Sequence, residues 1–508
     1  MKLLIKLEKS KTFWYLLCIS LLFFFLRFPS LIEPNWYGDE GIYQVIGIAL
    51  NHGRLLYSQI WDNKPPLLYL TYALFQGDQF GVRIASLFIG LLSVWLFFQL
   101  CQKLFEKVQT SVIASVLFAL LFATPLLEGN IANAENFMLL PLIISALAVY
   151  IAATTKKTQK QYHFFLTPQH VLLNAAGFLL GIAFLFKIVA LFDLAAFFCF
   201  LVILALPEKN KFTLATIKNL CSYLFIHLLL FIIGFIVPLL ITISYFAANH
   251  ALSDFIQATF FGNIGYVSYG NALIIPQGFL ILKLLLLAGV VALLALKRAH
   301  FSKPLLFIVL WLAFSLFNAF FSQRPYTHYV LVLLPSFCLL FGLLINEKNF
   351  KIQQRLFVIL FAVLFLVLSN FNLYGVYKTL FYYQNAILFI AGKKTVASYQ
   401  SFFDPKTPRD YEVASFLKTH THPTEQILLW GDSAQIYALS KTLPLTKYTV
   451  SYHITQSKNG IVQTQEALNT IKPKYVIILS EAPGFPFQLD TYTKGFSLNG
   501  AVMYEKTF

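Results

Sequence analysis

The run LCSYLFIHLLLFIIGFIVPLLITISYFA, residues 220–247, contains no Asp, Glu, Lys or Arg. About 20 apolar residues carry a helix across about 30 Å of hydrocarbon, so this stretch is long enough to span a membrane. Ten further apolar runs fall at 13–32, 82–101, 110–127, 137–154, 171–186, 188–206, 278–296, 304–321, 329–345 and 355–373. Those at 171–186 and 188–206 are short or interrupted. Eleven spans account for a chain of 508 residues that is 58% hydrophobic and only 12% charged. A soluble globular protein is about 25% charged, so this composition excludes one. It also excludes a disordered chain or a collagen-like fibre.

The net charge of +16 is explained by the positions of the cations. Alternate hydrophilic segments (1–12, 102–109, 155–170, 207–219, 297–303 and 346–355) hold 18 Lys and Arg, whereas the opposite side before residue 374 holds seven. Cations gather on the cytoplasmic side of membrane proteins. The expectation is therefore a multi-pass protein of the cytoplasmic membrane, with a cytoplasmic N-terminus and an outward C-terminus, and no nucleic-acid partner. The first run has a basic start (Lys2, Lys6, Lys9, Lys11) but no small-residue cleavage signal, and reads as a retained helix. Cys18, Cys101, Cys199, Cys221 and Cys338 all lie in or beside the runs, without metal-ligand spacing.

After residue 373 the long apolar runs stop. A strand is expected at 426–431, a helix at 433–441, a strand at 446–451, an amphipathic helix at 460–471, and strands at 474–480 and 500–506. This pattern reads as a small α/β domain over 374–508, with a membrane domain over 1–373. Asp432 or Ser433 is expected to cap the helix after the first strand, and the domain is expected to play an accessory role.

The chemistry concentrates between the first two spans, in Trp36-Tyr37-Gly38-Asp39-Glu40-Gly41-Ile42-Tyr43, Gly53-Arg54-Leu55-Leu56-Tyr57 and Trp61-Asp62-Asn63-Lys64-Pro65-Pro66. A purely structural account is available. Gly38 or Asp39 caps a helix over 40–51 that lies on the membrane surface, Gly53 ends it, and Asn63 with Pro65 starts another. That account leaves unexplained why three acids and a lysine share one aromatic-rich loop, since charge near a bilayer is expensive. A carboxylate that takes a proton from an acceptor, a cation that holds an anionic lipid head, and aromatic faces that bind sugar rings would explain the grouping.

These segments resemble the opening of bacterial GT-C glycosyltransferases, the protein O-mannosyltransferase and aminoarabinose transferase group. Two further stretches share the resemblance: Gly177-x-x-x-Gly181-Ile-Ala-Phe-Leu-Phe-Lys187, and Arg324-Pro-Tyr326-Thr-His328-Tyr329. The resemblance implies a GT-C fold of about 11 transmembrane helices with outer juxtamembrane helices. It implies transfer of a sugar from a polyprenyl-phosphate carrier to a protein, lipid or glycan acceptor outside the cytoplasm. By it, Asp39 is the catalytic carboxylate, Glu40 its neighbour and Lys64 the contact of the donor phosphate. Lys187, on an outer side poor in cations, and Arg324, whose guanidinium suits phosphate, are expected to meet the donor phosphate as well. Tyr43, Tyr57, Trp61, Asp62, Glu135, His328 and Tyr329 form the expected acceptor- or sugar-binding set.

Each of these residues also has a plainer reading. Glu135 suits the N-terminus of a helix, Lys187 can reach to the outer surface, and His328 can be an interfacial hydrogen-bonder sharing a helical face with Arg324. Asp193 can pair with a neighbouring helix. Tyr266 and Tyr269 fit an ordinary loop better than a lid.

A lipid-phosphate sugar is already activated, so neither a nucleotide nor a metal is required by the sequence. One base and a phosphate leaving group suit a single inverting displacement. A lipid-sugar transporter or flippase is the other class, and it predicts a pseudo-repeat and acids within spans. An oligosaccharyl transferase or glycan polymerase of the same superfamily differs in its acceptor.

Overall fold

A computed structural model describes residues 11–155, 167–206, 214–263, 278–321, 324, 326–370 and 376–507. Among these, eight helices are long and apolar enough to cross a membrane: Lys11–Leu31, Gln79–Phe105, Ala134–Thr154, Pro168–Phe186, Ile188–Ala205, Phe225–Ala248, Thr327–Asn346 and Phe350–Ser369. Shorter apolar helices at Val108–Ala123, Leu280–Leu296 and Lys303–Ala319 occupy the other three expected positions. Val108–Ala123 has 16 residues. At 1.5 Å per residue it covers about 24 Å, less than the hydrocarbon thickness of about 30 Å.

Burial separates central helices from peripheral ones. Ala134–Thr154 and Thr327–Asn346 are 67% buried, whereas Phe350–Ser369 is 17% buried. The glycines of the Gly177-x-x-x-Gly181 motif have a packing role. A Cβ on Gly177 would lie 1.9 Å from the Phe231 carbonyl oxygen, and one on Gly181 would lie 2.5 Å from that of Phe235. From the other helix, a Cβ on Gly234 would lie 2.1 Å from the Asn174 carbonyl oxygen. Helix Pro168–Phe186 thus meets the helix around residues 230–238 backbone to backbone, as small residues allow between membrane helices. Gly177→Ala is expected to push the two apart and cost about 1–3 kcal/mol, the usual penalty of overpacking. Thermal unfolding of the purified protein checks this, and an unchanged midpoint would refute it.

The outer layer is built on helices Gly38–Asn51 and Pro66–Leu74. The first was expected to lie on the membrane with one wet face, but every residue from Glu40 to Ala49 is buried. Two glycines account for the difference. A Cβ on Gly47 would lie 2.8 Å from the Tyr72 carbonyl carbon, and one on Gly41 would lie 2.7 Å from the Gln435 amide nitrogen. The helix is therefore pressed between its neighbour helix and the C-terminal domain. Gly53, at φ +79°, follows its end as expected. The second helix begins at Pro66 after Pro65, with no side-chain cap from Asn63.

The C-terminal domain is a five-stranded sheet in the order β2-β1-β3-β5-β4. The strands are β1 (Gln426–Trp430), β2 (Leu443–Pro444), β3 (Tyr475–Leu479), β4 (Tyr492–Leu498) and β5 (Ala501–Lys506). β2, β1 and β3 run parallel, and β5 and β4 add antiparallel. The helices expected at 433–441 and 460–471 are present as Gln435–Ser440 and Gly460–Ile471. The strand expected at 446–451 is not formed. The sheet edge is instead the two-residue β2, closed by Pro444, which has no N–H to donate, and Ser451–Gln456 is helical. A single buried cluster joins Ile42, Val45, Tyr69 and Tyr72 of the outer helices to Val413, Ile427, Leu429, Tyr437 and Ile477 of the domain.

Candidate active site

Asp39 and Glu40 are consecutive in the first turn of helix Gly38–Asn51, so their side chains leave it about 100° apart. Glu40 turns inward. Arg83 donates to it through Nη2 at 2.5 Å and Nε at 3.2 Å, and the Ala132 amide donates at 2.9 Å. Arg83 also meets Glu33 at 3.0 Å, and all three side chains are at most 3% exposed. Glu40 therefore faces a closed ionic cluster, where its partner Arg83 holds it, and does not line the cavity beside Asp39.

Asp39 turns the other way, with its side chain 39% exposed, and lies 3.3 Å from the Lys64 ammonium. Tyr43 donates to it at 2.9 Å. Burial alone would raise the Asp39 pKa, but the Lys64 charge and these bonds outweigh it and hold the carboxyl below its ordinary value. The bend before Pro66 sets Lys64 in place. Tyr57 donates to the Lys64 carbonyl at 2.8 Å, and Tyr69 accepts from its amide at 3.1 Å while donating to Asp62 at 2.8 Å. Tyr43 and Tyr57 are fully buried and act as supports, so neither offers a sugar-binding face.

A cavity of about 470 Å³ opens at this point, lined by Asp39, Trp61, Asp62, Lys64, Lys187, Arg324, His328 and Tyr329 among others. Eight of the twelve expected site residues thus converge, and Glu40, Tyr43, Tyr57 and Glu135 stand outside its lining. Glu135, in the first turn of helix Ala134–Thr154, is a buried partner of the Lys187 ammonium. Lys187 does not reach out to solvent. It sits at the joint of two helices, 4.1 Å above the Tyr329 ring. Arg324 and His328 both line the cavity but share no α-helical face, because the last stretch starts as a 3₁₀ helix, Thr327–Leu333, and becomes α-helical only at Leu334 beside Pro335.

Glu128 contributes more than its sequence context suggests. It accepts from Tyr37 and Thr327 at 2.5 Å each, and lies 2.9 Å from His328 Nδ1. These bonds hold the carboxyl below its ordinary pKa against the effect of burial. Glu128 sits in the left-handed region at φ +57°, in a turn tight enough that a Cβ on the following Gly129 would lie 1.8 Å from the Phe122 carbonyl oxygen. Asp193 accepts from Trp311 at 2.7 Å, the expected pairing with a neighbouring helix. Tyr266 and Tyr269 lie outside the described residues.

The C-terminal domain also reaches the cavity, through Tyr452, His453 and Gln456. No local signal marks these residues in the sequence, and Asp432 provides the link. It accepts from Ser451 Oγ at 2.5 Å and from the Tyr452 amide at 3.4 Å, so it anchors helix Ser451–Gln456 and leaves Gln435–Ser440 without a side-chain cap. Among the described residues, no three His, Cys, Asp or Glu side chains are grouped to hold a metal ion.

Residues 64–241 match the dolichyl-phosphate-mannose-protein mannosyltransferase family. No curated protein sequence matches the chain significantly. In fold, the chain is similar to ArnT from Cupriavidus metallidurans, solved bound to undecaprenyl phosphate. The TM-score is 0.56 at 14% identity, over 97% of this chain and 98% of that one. The archaeal oligosaccharyltransferase AglB from Archaeoglobus fulgidus, solved with an inhibitory peptide and a dolichol-phosphate, aligns at a TM-score of 0.49 and 12% identity. That alignment covers 93% of this chain and 70% of the other. The resemblance to GT-C glycosyltransferases that use polyprenyl-phosphate sugars is therefore met by a family match in the membrane region and by an ArnT-like fold along the chain.

Proposed function

We propose that this protein transfers a sugar from a polyprenyl-monophosphate carrier to an acceptor on the outer face of the cytoplasmic membrane, with inversion at the anomeric carbon. The observation that carries this reading is the accessible Asp39 carboxylate, 3.3 Å from Lys64, in a cavity that Lys187 and Arg324 also line. The undecaprenyl phosphate bound to ArnT, whose fold this chain shares, is consistent with a lipid phosphate on that cationic side.

In this mechanism Asp39 takes the proton of the acceptor nucleophile, which attacks the anomeric carbon. The bond from that carbon to the phosphate oxygen breaks, and the lipid phosphate leaves carrying the electron pair. Lys64, Lys187 and Arg324 offset the charge that builds on it. Glu128 holds Tyr37 and His328, which line the cavity, in place. Residues 1–373 form the catalytic part with a cytoplasmic N-terminus, and 374–508 lie outside. The displacement so written requires no cofactor beyond the lipid-linked donor.

The test is incubation of the purified protein with a panel of polyprenyl-monophosphate sugars and an exported protein, lipid A or glycan acceptor. Release of lipid phosphate with a matching mass gain on the acceptor is expected for one class of sugar. Passage of intact lipid-linked sugar across a vesicle bilayer, without release, would overturn the reading in favour of a flippase.

A further inference from the structure

Helix Ser451–Gln456 presents Tyr452, His453 and Gln456 to the cavity from positions i, i+1 and i+4, which share one side of a helix. None carries a charge at neutral pH. Burial pushes the His453 imidazole down to about 4, against the pull of Asp62, Asp39 and Asp432 and in line with the push of Lys64. Its ring meets Trp61 edge to face at 4.9 Å, its Nδ1 lies 3.4 Å from Thr449 Oγ1, and its Nε2 lies 3.9 Å from Asp62 Oδ1. The three cations in the cavity lining, Lys64, Lys187 and Arg324, come from the membrane part of the chain. A phenol, a neutral imidazole and a carboxamide both donate and accept, which suits hydroxyl groups, whereas cations suit phosphate.

We propose that helix Ser451–Gln456 is a sugar-recognition wall, in which Tyr452, His453 and Gln456 bind ring hydroxyls of a substrate whose phosphate end lies toward Lys64, Lys187 and Arg324. The phosphate side of this arrangement rests on the function proposed above. Asp432 is the positioning residue. Its carboxylate holds Ser451 Oγ and the Tyr452 amide, and the Gly431 carbonyl accepts from the Ser451 amide at 3.0 Å, so the end of β1 fixes the wall without itself lining the cavity.

The test uses the full-length protein in nanodiscs, with Tyr452→Phe, His453→Ala and Asp432→Ala. Binding is measured to undecaprenyl phosphate, to a panel of undecaprenyl-phosphoryl hexoses and pentoses, and to free methyl glycosides. The bare lipid phosphate is expected to bind all variants as it binds the parent. Sugar-bearing probes are expected to lose about tenfold for each bond removed, with the preference among sugars compressed. Asp432→Ala, which removes the oxygen that accepts from both Ser451 Oγ and the Tyr452 amide, should show the same compression at an unchanged unfolding temperature, which a merely structural role would not give.

A rise in acceptor KM with donor binding intact would assign the hydroxyls to a glycan acceptor and still support the wall. Two results would overturn it: sugar binding and acceptor KM both unchanged in His453→Ala and Tyr452→Phe, or an equal loss of the bare lipid phosphate. A parent that fails to bind undecaprenyl phosphate yet binds methyl glycosides through these residues would overturn only the lipid-donor reading.

Discussion

Asp39→Asn is expected to lower kcat about 10²–10⁴-fold, the range typical of a lost general base, with little change in the KM for the lipid donor. The carboxamide keeps the shape of the side chain and still accepts from Tyr43, now 2.9 Å away, but it cannot take a proton at neutral pH. Lys64 loses its ion pair with Asp39 at 3.3 Å and keeps the one with Asp62 at 4.0 Å, so donor binding should hold or improve. The pH profile supplies a second check. Because the Asp39 carboxyl is held below its ordinary value, its basic form is present at neutral pH and is lost only as pH falls through the lowered pKa. The acid limb of kcat/KM for the parent is therefore expected below about pH 4, the ordinary value for Asp. Turnover within a few-fold of the parent in Asp39→Asn, or an acid limb near neutrality, would remove Asp39 from the role of base.

Arg83→Met is expected to be the most destabilising single change, costing about 3–5 kcal/mol. Arg83 lies between Glu33 at 3.0 Å and Glu40 at 2.5 Å, in a site from which water is excluded. Methionine fills much of the same space and removes the one cation bonded to both acids among the described residues, leaving two buried carboxylates with only neutral donors: Trp36, Asn130 and Tyr382 on Glu33, and the Ala132 amide on Glu40. The penalty comes from those stranded charges and not from the value of the pair itself, so Glu33→Gln/Glu40→Gln/Arg83→Met should recover much of the loss. Unfolding midpoints of the detergent-solubilised proteins check both statements. A single variant as stable as the parent would contradict the buried cluster.

The membrane helices are legible in the sequence because a span needs only a long apolar run, and each of the expected runs is a helix. Asp39 and Lys64 are legible because their local segments carry both groups. Glu40 looked equivalent to Asp39, since nothing in Asp-Glu tells which acid faces inward. That is decided by Arg83, 43 residues away and on another helix. Tyr452 and His453 were hidden for a different reason. The β-branched and aromatic residues of 446–451 read as a strand, whereas the bonds from Ser451 and Tyr452 back to Gly431 and Asp432 anchor the next residues as a helix over the cavity. Glu128 was visible as an acid, but its three partners come from residue 37 and from residues 327–328, far apart in the chain.

The packing of Gly41 against Gln435 sets the order in which the site can be made. During synthesis Asp39 appears early, and all three cavity cations precede residue 325. The side of the cavity lined by Tyr452, His453 and Gln456 does not exist until residues 426–456 have been made and folded. Until then the apolar side of helix Gly38–Asn51 that meets Gln435 has no cover. A nascent chain that stops short of residue 426 would hold Asp39 and the three cations in an unfinished, open cavity, so folding of the segment that carries Tyr452, His453 and Gln456 is itself the step that completes it.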